Sequence, residues 1–267
     1  MKHLAPAIFL GHGSPMNILE NNLFTRNIQK ISPHLKNYKG IVCLSAHYLT
    51  SGLYILENEF PKTIHDYYGF PKELYELNYP VKNPLFIIDE IESIIALSEL
   101  KRSNDWGLDH GAWHPLWHLL RPSQIPVVML SINKLWSNND FYLFGKKLLK
   151  LRKSGFIILG SGNVVHSFKG IDFLNQSPPH AKALEFEKYV RSHLISGEYE
   201  ELVEINEEAR SAAIFAINTF EHYWPFLATL GSLEINEEIL VFNDKITHST
   251  ISMLSFLTKL ESPIYFE

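Results

Sequence analysis

Three times in this chain a wholly apolar run stops at glycine or serine and is followed within a few residues by histidine. Ala7-Ile8-Phe9-Leu10 precedes Gly11-His12-Gly13, Ile41-Val42-Cys43-Leu44 precedes Ser45-Ala46-His47, and Phe156-Ile157-Ile158-Leu159 precedes Gly160 and, after Ser161-Gly162-Asn163-Val164-Val165, His166. Apolar runs without polar alternation are strands buried on both faces, which occur in parallel sheets covered by helices. Open sheets of this kind bind ligands outside the carboxyl ends of their strands. The pattern therefore predicts an α/β fold with His12, His47 and His166 along one edge of the sheet. Glycine on both sides of His12 removes side-chain bulk, so a ligand or metal approaches the imidazole closely.

No linker or change of composition divides the 267 residues, and 46% apolar content fills a sizeable core. Residues 1–267 are expected to form a single catalytic domain. A net charge of -5 with scattered lysines offers no basic face to nucleic acid. The lone cysteine, Cys43, sits inside an apolar run and is expected to pack as a small hydrophobe. The stretch Met1 to Leu10 has no cleavage region of a signal peptide, and no run approaches the ~18 apolar residues of a membrane span. A soluble, cytoplasmic protein with no membrane partner is expected; no pattern fixes an oligomeric state. The 13 histidines and 13% aromatics direct attention to metal or aromatic-ligand chemistry.

In order along the chain, a helix is expected over Leu23 to Ile31, ending before Ser32-Pro33. A strand at Leu53 to Leu56 leads into a long irregular stretch, Asn58 to Pro84, with His65, Asp66, Tyr67 and Tyr68; loops of this length are often lids or binding loops. A helix is expected within Asn83 to Ser98. Asp109-His110-Gly111-Ala112-Trp113-His114-Pro115 then places His110 in a site-like setting; His114 could equally be a second such histidine or the start of a helix with Pro115 in its first position, and His118 reads as structural. Pro126 to Leu130 reads as a buried strand, and Phe141, Phe144, Leu148 and Leu151 share a helix face, as do Phe186, Val190 and Leu194. Glu221-His222 sets a carboxylate beside an imidazole, and Ile239 to Phe242 and Thr250 to Leu257 close the chain as two strands.

With Phe9-Leu10-Gly11-His12-Gly13-Ser14-Pro15-Met16-Asn17, Ser45-Ala46-His47, Thr63-Ile64-His65-Asp66 with Gly69-Phe70-Pro71, Asp109-His110-Gly111, Gly162-Asn163-Val164-Val165-His166, Glu221-His222-Tyr223 and Ser252-Met253-Leu254-Ser255 in this order, the chain resembles the DOPA-dioxygenase group of class III extradiol dioxygenases, the LigB-like superfamily. The resemblance implies a single domain with a central, mainly parallel sheet flanked by helices, of the LigB-like, phosphorylase/hydrolase-like architecture. It implies His12, His47 and His222 as metal ligands, with His166 a fourth ligand or an acid/base and His110 either a support behind a ligand or a contact to substrate. Candidate pocket residues are His65, Asp66, Tyr68, Trp113, Ser161 and Asn163.

An extradiol enzyme binds both oxygens of a catechol and dioxygen at one divalent metal, so three protein ligands leave the positions it needs. A catechol needs a base as it binds and its ring needs an acid as it opens; a histidine serves both, here His166 first and His110 second. The implied partners are a catechol such as DOPA and O2, and 4,5-extradiol cleavage gives a muconate semialdehyde. One divalent metal per chain is implied, Fe(II) for dioxygenase chemistry, although three neutral imidazoles also suit Zn(II). The same histidines would serve a zinc-dependent hydrolase, or a noncatalytic, Memo-like metal-binding interaction protein.

Overall fold

The apolar runs form the middle of the sheet. The computed structural model describes residues 4–120 and 125–266, so Met1 to His3 of the segment read for a signal peptide lie outside the described residues. The strands are β1 (Ala7–Gly11), β2 (Gly40–Thr50), β3 (Leu53–Leu56), β4 (Leu100–Ser103), β5 (Val127–Asn133), β6 (Phe156–Gly162), β7 (Ile239–Phe242), β8 (Ile246–Thr247), β9 (Ile251–Ser252) and β10 (Ser255–Thr258). Among the described residues, eight of them form one sheet in the order β4-β3-β5-β2-β6-β1-β10-β7, while β8 and β9 pair by themselves. The central strands β5, β2, β6 and β1 run parallel, β10 is antiparallel to both of its neighbours β1 and β7, and β3 is antiparallel to β5 but parallel to β4.

Successive side chains of a strand point to opposite faces, so the core divides in two. Ile8, Leu10, Ile41, Cys43, Ile157 and Leu159 enter one apolar cluster, while Phe9, Val42, Leu44 and Ile158 enter the other. The helices that cover these faces are α1 (Leu23–Ile31), α2 (Lys72–Glu76), α3 (Leu85–Ile95), α4 (His110–Leu119), α5 (Asn138–Lys153), α6 (Ala181–Ser196), α7 (Tyr199–Glu204), α8 (Glu207–Ala216) and α9 (Trp224–Gly231). α1, α2 and α4 pack on the first cluster and the others on the second, giving the expected α/β/α arrangement in one domain. Cys43 is fully buried in the sheet, and burial pushes its thiol well above the ordinary value, which keeps it inert. No helix among the described residues is long and apolar enough to cross a membrane.

α1 has the expected bounds, fixed at its start by a capping box between Asn22 and Thr25. One strand was not expected, and two expectations need correction. β4 gave no strand signal because it is an edge strand whose Lys101 and Arg102 are exposed. Thr250 to Leu257 is two strands rather than one: Met253 N–H leaves the ladder for Lys245 C=O, and the Ser252 hydroxyl accepts from Leu254 N–H. α4 starts at His110 rather than at Pro115, because the Asp109 carboxylate accepts Ala112 N–H at 3.1 Å and caps the helix one turn earlier. Pro115 is therefore inside the helix.

Candidate metal centre

His12 follows β1 directly, and its backbone N–H donates to Gly162 C=O at 3.1 Å, so its ring leaves the sheet at the carboxyl edge. On β2 the pairing with β5 jumps from Leu44–Leu130 to Leu49–Ile132. The extra β2 residues bulge outward, and His47 stands among them; bulges of this kind re-aim side chains beside functional sites. The third imidazole comes from the 3-10 turn Phe220–His222 between α8 and α9. That turn lies so close to β6 that a Cβ on Gly162 would stand 2.1 Å from the His222 carbonyl oxygen. The neighbouring Asn163 N–H donates to the same carbonyl at 2.9 Å.

One ring nitrogen from each of His12, His47 and His222 falls within 4.8 Å of the others. His12 Nε2 and His47 Nε2 are 3.3 Å apart. Both nitrogens of His222 are buried without a hydrogen-bond partner. Burial first, then the neighbouring imidazoles, lowers the pKa of His12 and of His47 well below the ordinary value; burial also lowers that of His222 against the opposing pull of Glu221. The three rings are therefore neutral near pH 7. Buried, converging lone pairs without donors are costly. A divalent cation removes that cost, and three neutral imidazoles are a donor set that both zinc and iron accept. The residues fit a metal ion.

Two carboxylates stand behind these rings. Asp66 bridges two imidazoles, with Oδ2 at 3.4 Å from His47 Nδ1 and Oδ1 at 3.0 Å from His110 Nδ1, and it accepts His110 backbone N–H at 2.8 Å. Burial pushes its carboxyl up, but the His110 contacts outweigh this and hold it below the ordinary value. Glu221 Oε1 is 3.5 Å from His222 Nδ1. Its burial is likewise outweighed, by His222 and the Thr219 hydroxyl, and its pKa falls to about 2.

His166 does not join the group of converging donors. Its ring lies parallel to that of His222, and burial followed by His222 pushes its pKa down to about 3. His166 thus stands beside the three converging donors, stacked on His222, rather than among them. His110 packs against His47, ring centroids 4.1 Å apart, and lies 5.6 Å from His12.

The candidate pocket residues divide. Asp66 belongs to the site as described. Ser161 is fully buried behind His12, 3.0 Å from its Nδ1, and Asn163 is buried with its Nδ2 donating to Ser252 C=O, so both support the centre from behind. Trp113 is fully buried and donates to Ile64 C=O, while His65 lies against Trp113 with its Nε2 on Leu77 C=O. Both are tied into the core packing. Tyr68 is 91% exposed and turns away; its neighbour Tyr67 faces His110 and His114 instead. His118 is structural as expected, bridging Asn17 C=O and Gln29. Sequence reasoning left His114 out of the candidate pocket; it is a buried imidazole with both nitrogens unpartnered. Its signal is the i, i+4 spacing from His110, visible only once α4 is started at Asp109.

A mainly parallel sheet with three imidazoles converging at its carboxyl edge defines an α/β protein with a histidine cluster fit to hold a metal ion. The chain belongs to the LigB family: residues 2–253 match the family described as the catalytic LigB subunit of aromatic ring-opening dioxygenase. It is 36% identical over 252 residues to a 4,5-DOPA dioxygenase extradiol of Escherichia coli K12, covering 94% of this chain and 93% of that one. A Beta vulgaris protein of the same name is 28% identical over 249 residues, covering 88% and 90%. The crystal structure of an uncharacterized Escherichia coli K12 protein superposes with a TM-score of 0.81 at 32% identity, covering 95% of this chain and 99% of that one. The chain is thus an enzyme of an extradiol dioxygenase family.

Proposed function

We propose that this protein is a metal-dependent extradiol dioxygenase that opens a catechol such as DOPA by 4,5-cleavage, using both atoms of O2. The convergence of His12, His47 and His222 carries this reading, because three ligands from one side leave room for a bidentate catechol and O2. Fe(II) bound there would supply the activation of O2 and the binding of both catechol oxygens. Residues 1–267 act as one catalytic domain in the cytoplasm, with no nucleic-acid or membrane partner.

His12, His47 and His222 would hold the ion. Asp66 orients His47 and His110 through their Nδ1 atoms and so turns each Nε2 outward. His166, neutral at the start, takes a catechol proton; negative charge on the bound substrate raises its affinity for that proton, and the ring returns it as the product forms. His110 is the second candidate for this exchange. Tyr67 and His114 line the aromatic side on which a flat ring is received.

The test is oxygen uptake by iron-reconstituted protein with DOPA and other catechols, followed by identification of the ring-opened product. No uptake with any catechol in the iron-loaded form overturns the dioxygenase assignment. The all-neutral ligand set favours one second reading, a zinc-dependent hydrolase, which predicts turnover by the zinc form without oxygen consumption.

A further inference from the structure

The geometry points to a hydrogen-bond relay, Pro115 to Gly111 to Ser161 to His12, that fixes which nitrogen of His12 faces the metal. In a regular helix the N–H of residue 115 bonds the carbonyl of residue 111. Pro115 has no N–H, and its ring crowds that carbonyl, so α4 leaves Gly111 C=O without its helical donor. The Ser161 hydroxyl, on β6, donates to it instead. A hydroxyl has one hydrogen, and a carbonyl only accepts. Towards His12 Nδ1, 3.0 Å away, the Ser161 oxygen is therefore left to accept. Nδ1 carries the ring hydrogen, and the lone pair falls on Nε2, the atom that faces His47 Nε2 at 3.3 Å.

The parts are built for this contact. Gly111, Pro115, Ser161 and His12 are all buried, which excludes a water that would substitute for any of them. A Cβ on Gly111 would stand 2.5 Å from Ser45 Oγ and 2.7 Å from His47 Cδ2, so glycine is what lets α4 lie this close to the sheet edge. Proline inside a helix is costly, and here it releases the one carbonyl that reaches Ser161. Pro115 and Ser161 are positioning residues: they act on the metal through His12.

The inference rests on His12 being a metal ligand, not on the dioxygenase reaction, and its test needs no turnover. Long-range 1H–15N spectra of the metal-free protein report the His12 tautomer, and titration with Zn(II) or Co(II) reports affinity. Wild type should show Nδ1–H. Pro115→Ala restores the helical donor to Gly111 C=O and frees the Ser161 hydrogen to turn towards His12 Nδ1. His12 should then shift to Nε2–H, and metal affinity should fall roughly 10- to 100-fold without loss of thermal stability. Ser161→Ala should weaken metal binding by a similar factor, and in the Pro115→Ala background it should add little. A purely structural role predicts multiplying losses in the double variant. Nε2–H at His12 in the wild type, or a Pro115→Ala protein with unchanged tautomer and affinity, overturns the relay. If Ser161→Ala does not fold, the Pro115→Ala spectra and titration still decide.

Discussion

His166 lies flat on His222, with ring centroids 3.7 Å apart and ring planes within 4°. The proposed ligand and the proposed proton carrier thus share one face-to-face contact, while of the two only His222 is among the converging donors. His166→Ala should lower the rate of catechol-dependent oxygen uptake by about 10²- to 10⁴-fold, the range for loss of a general acid/base. Metal content, measured on the same sample, should remain at the wild-type level.

Asp66 serves His47 and His110 with one carboxylate. Asp66→Asn keeps the size and removes the charge that orients both rings. Metal affinity should fall about 10- to 100-fold, the usual cost of losing a partner behind a ligand. Competition with a chromogenic chelator measures it.

Replacing a converging ring should abolish binding without unfolding the protein. His47→Ala and His222→Ala remove imidazoles whose Nδ1 atoms face Asp66 and Glu221 and whose other nitrogens find no proton donor in the metal-free centre. The metal-free variants should lose about 1–3 kcal/mol relative to metal-free wild type, since relief of the crowded lone pairs offsets only part of the lost packing and of the lost partners of Asp66 and Glu221. Calorimetry and metal analysis give the two readouts.

Acidity should unfold the metal-free protein early. Burial lowers the pKa values of His12, His47, His114, His166 and His222 beneath the ordinary 6.5, that of His166 to about 3. As pH falls below about 6.5, the unfolded chain takes up protons before the folded one does. Their stability contribution is complete above that pH and is lost as pH falls through the folded values. Each ring adds a slope of about 1.4 kcal/mol per pH unit. Denaturant titrations between pH 7 and pH 4 should show the decline, and added metal should displace it to lower pH.

Gly162→Ala probes the contact between β6 and the His222 turn. The new Cβ would meet the His222 carbonyl at 2.1 Å, so the turn must withdraw. A loss of about 1–3 kcal/mol in stability, typical of overpacking, should accompany weaker metal binding. Unfolding and metal titrations on one preparation test both.

Much of this was legible from residues. The apolar runs before His12, His47 and His166 gave the parallel centre of the sheet, because burial on both faces leaves no polar alternation to obscure the strand. The convergence of His12 and His47 followed from strand ends alone. His222 needed the family resemblance, since nothing local links a 3-10 turn to a sheet edge 210 residues away in the chain. Pro115 misled because proline usually opens a helix, whereas here the Asp109 cap fixes the start and the missing N–H is tolerated within. Ser161 and Tyr68 could not be assigned a direction, since neither the last residues of a buried strand nor a long loop states which side chain faces the cleft.

The three converging histidines stand at positions 12, 47 and 222, and β1, which carries the first, is held between β6 and β10. During synthesis the first two are made long before the third, and the strand that closes against β1 comes later still. A ribosome-bound chain therefore cannot assemble the centre until nearly all of it has emerged. An ion held by all three imidazoles would therefore report that the His222 turn has reached the sheet edge.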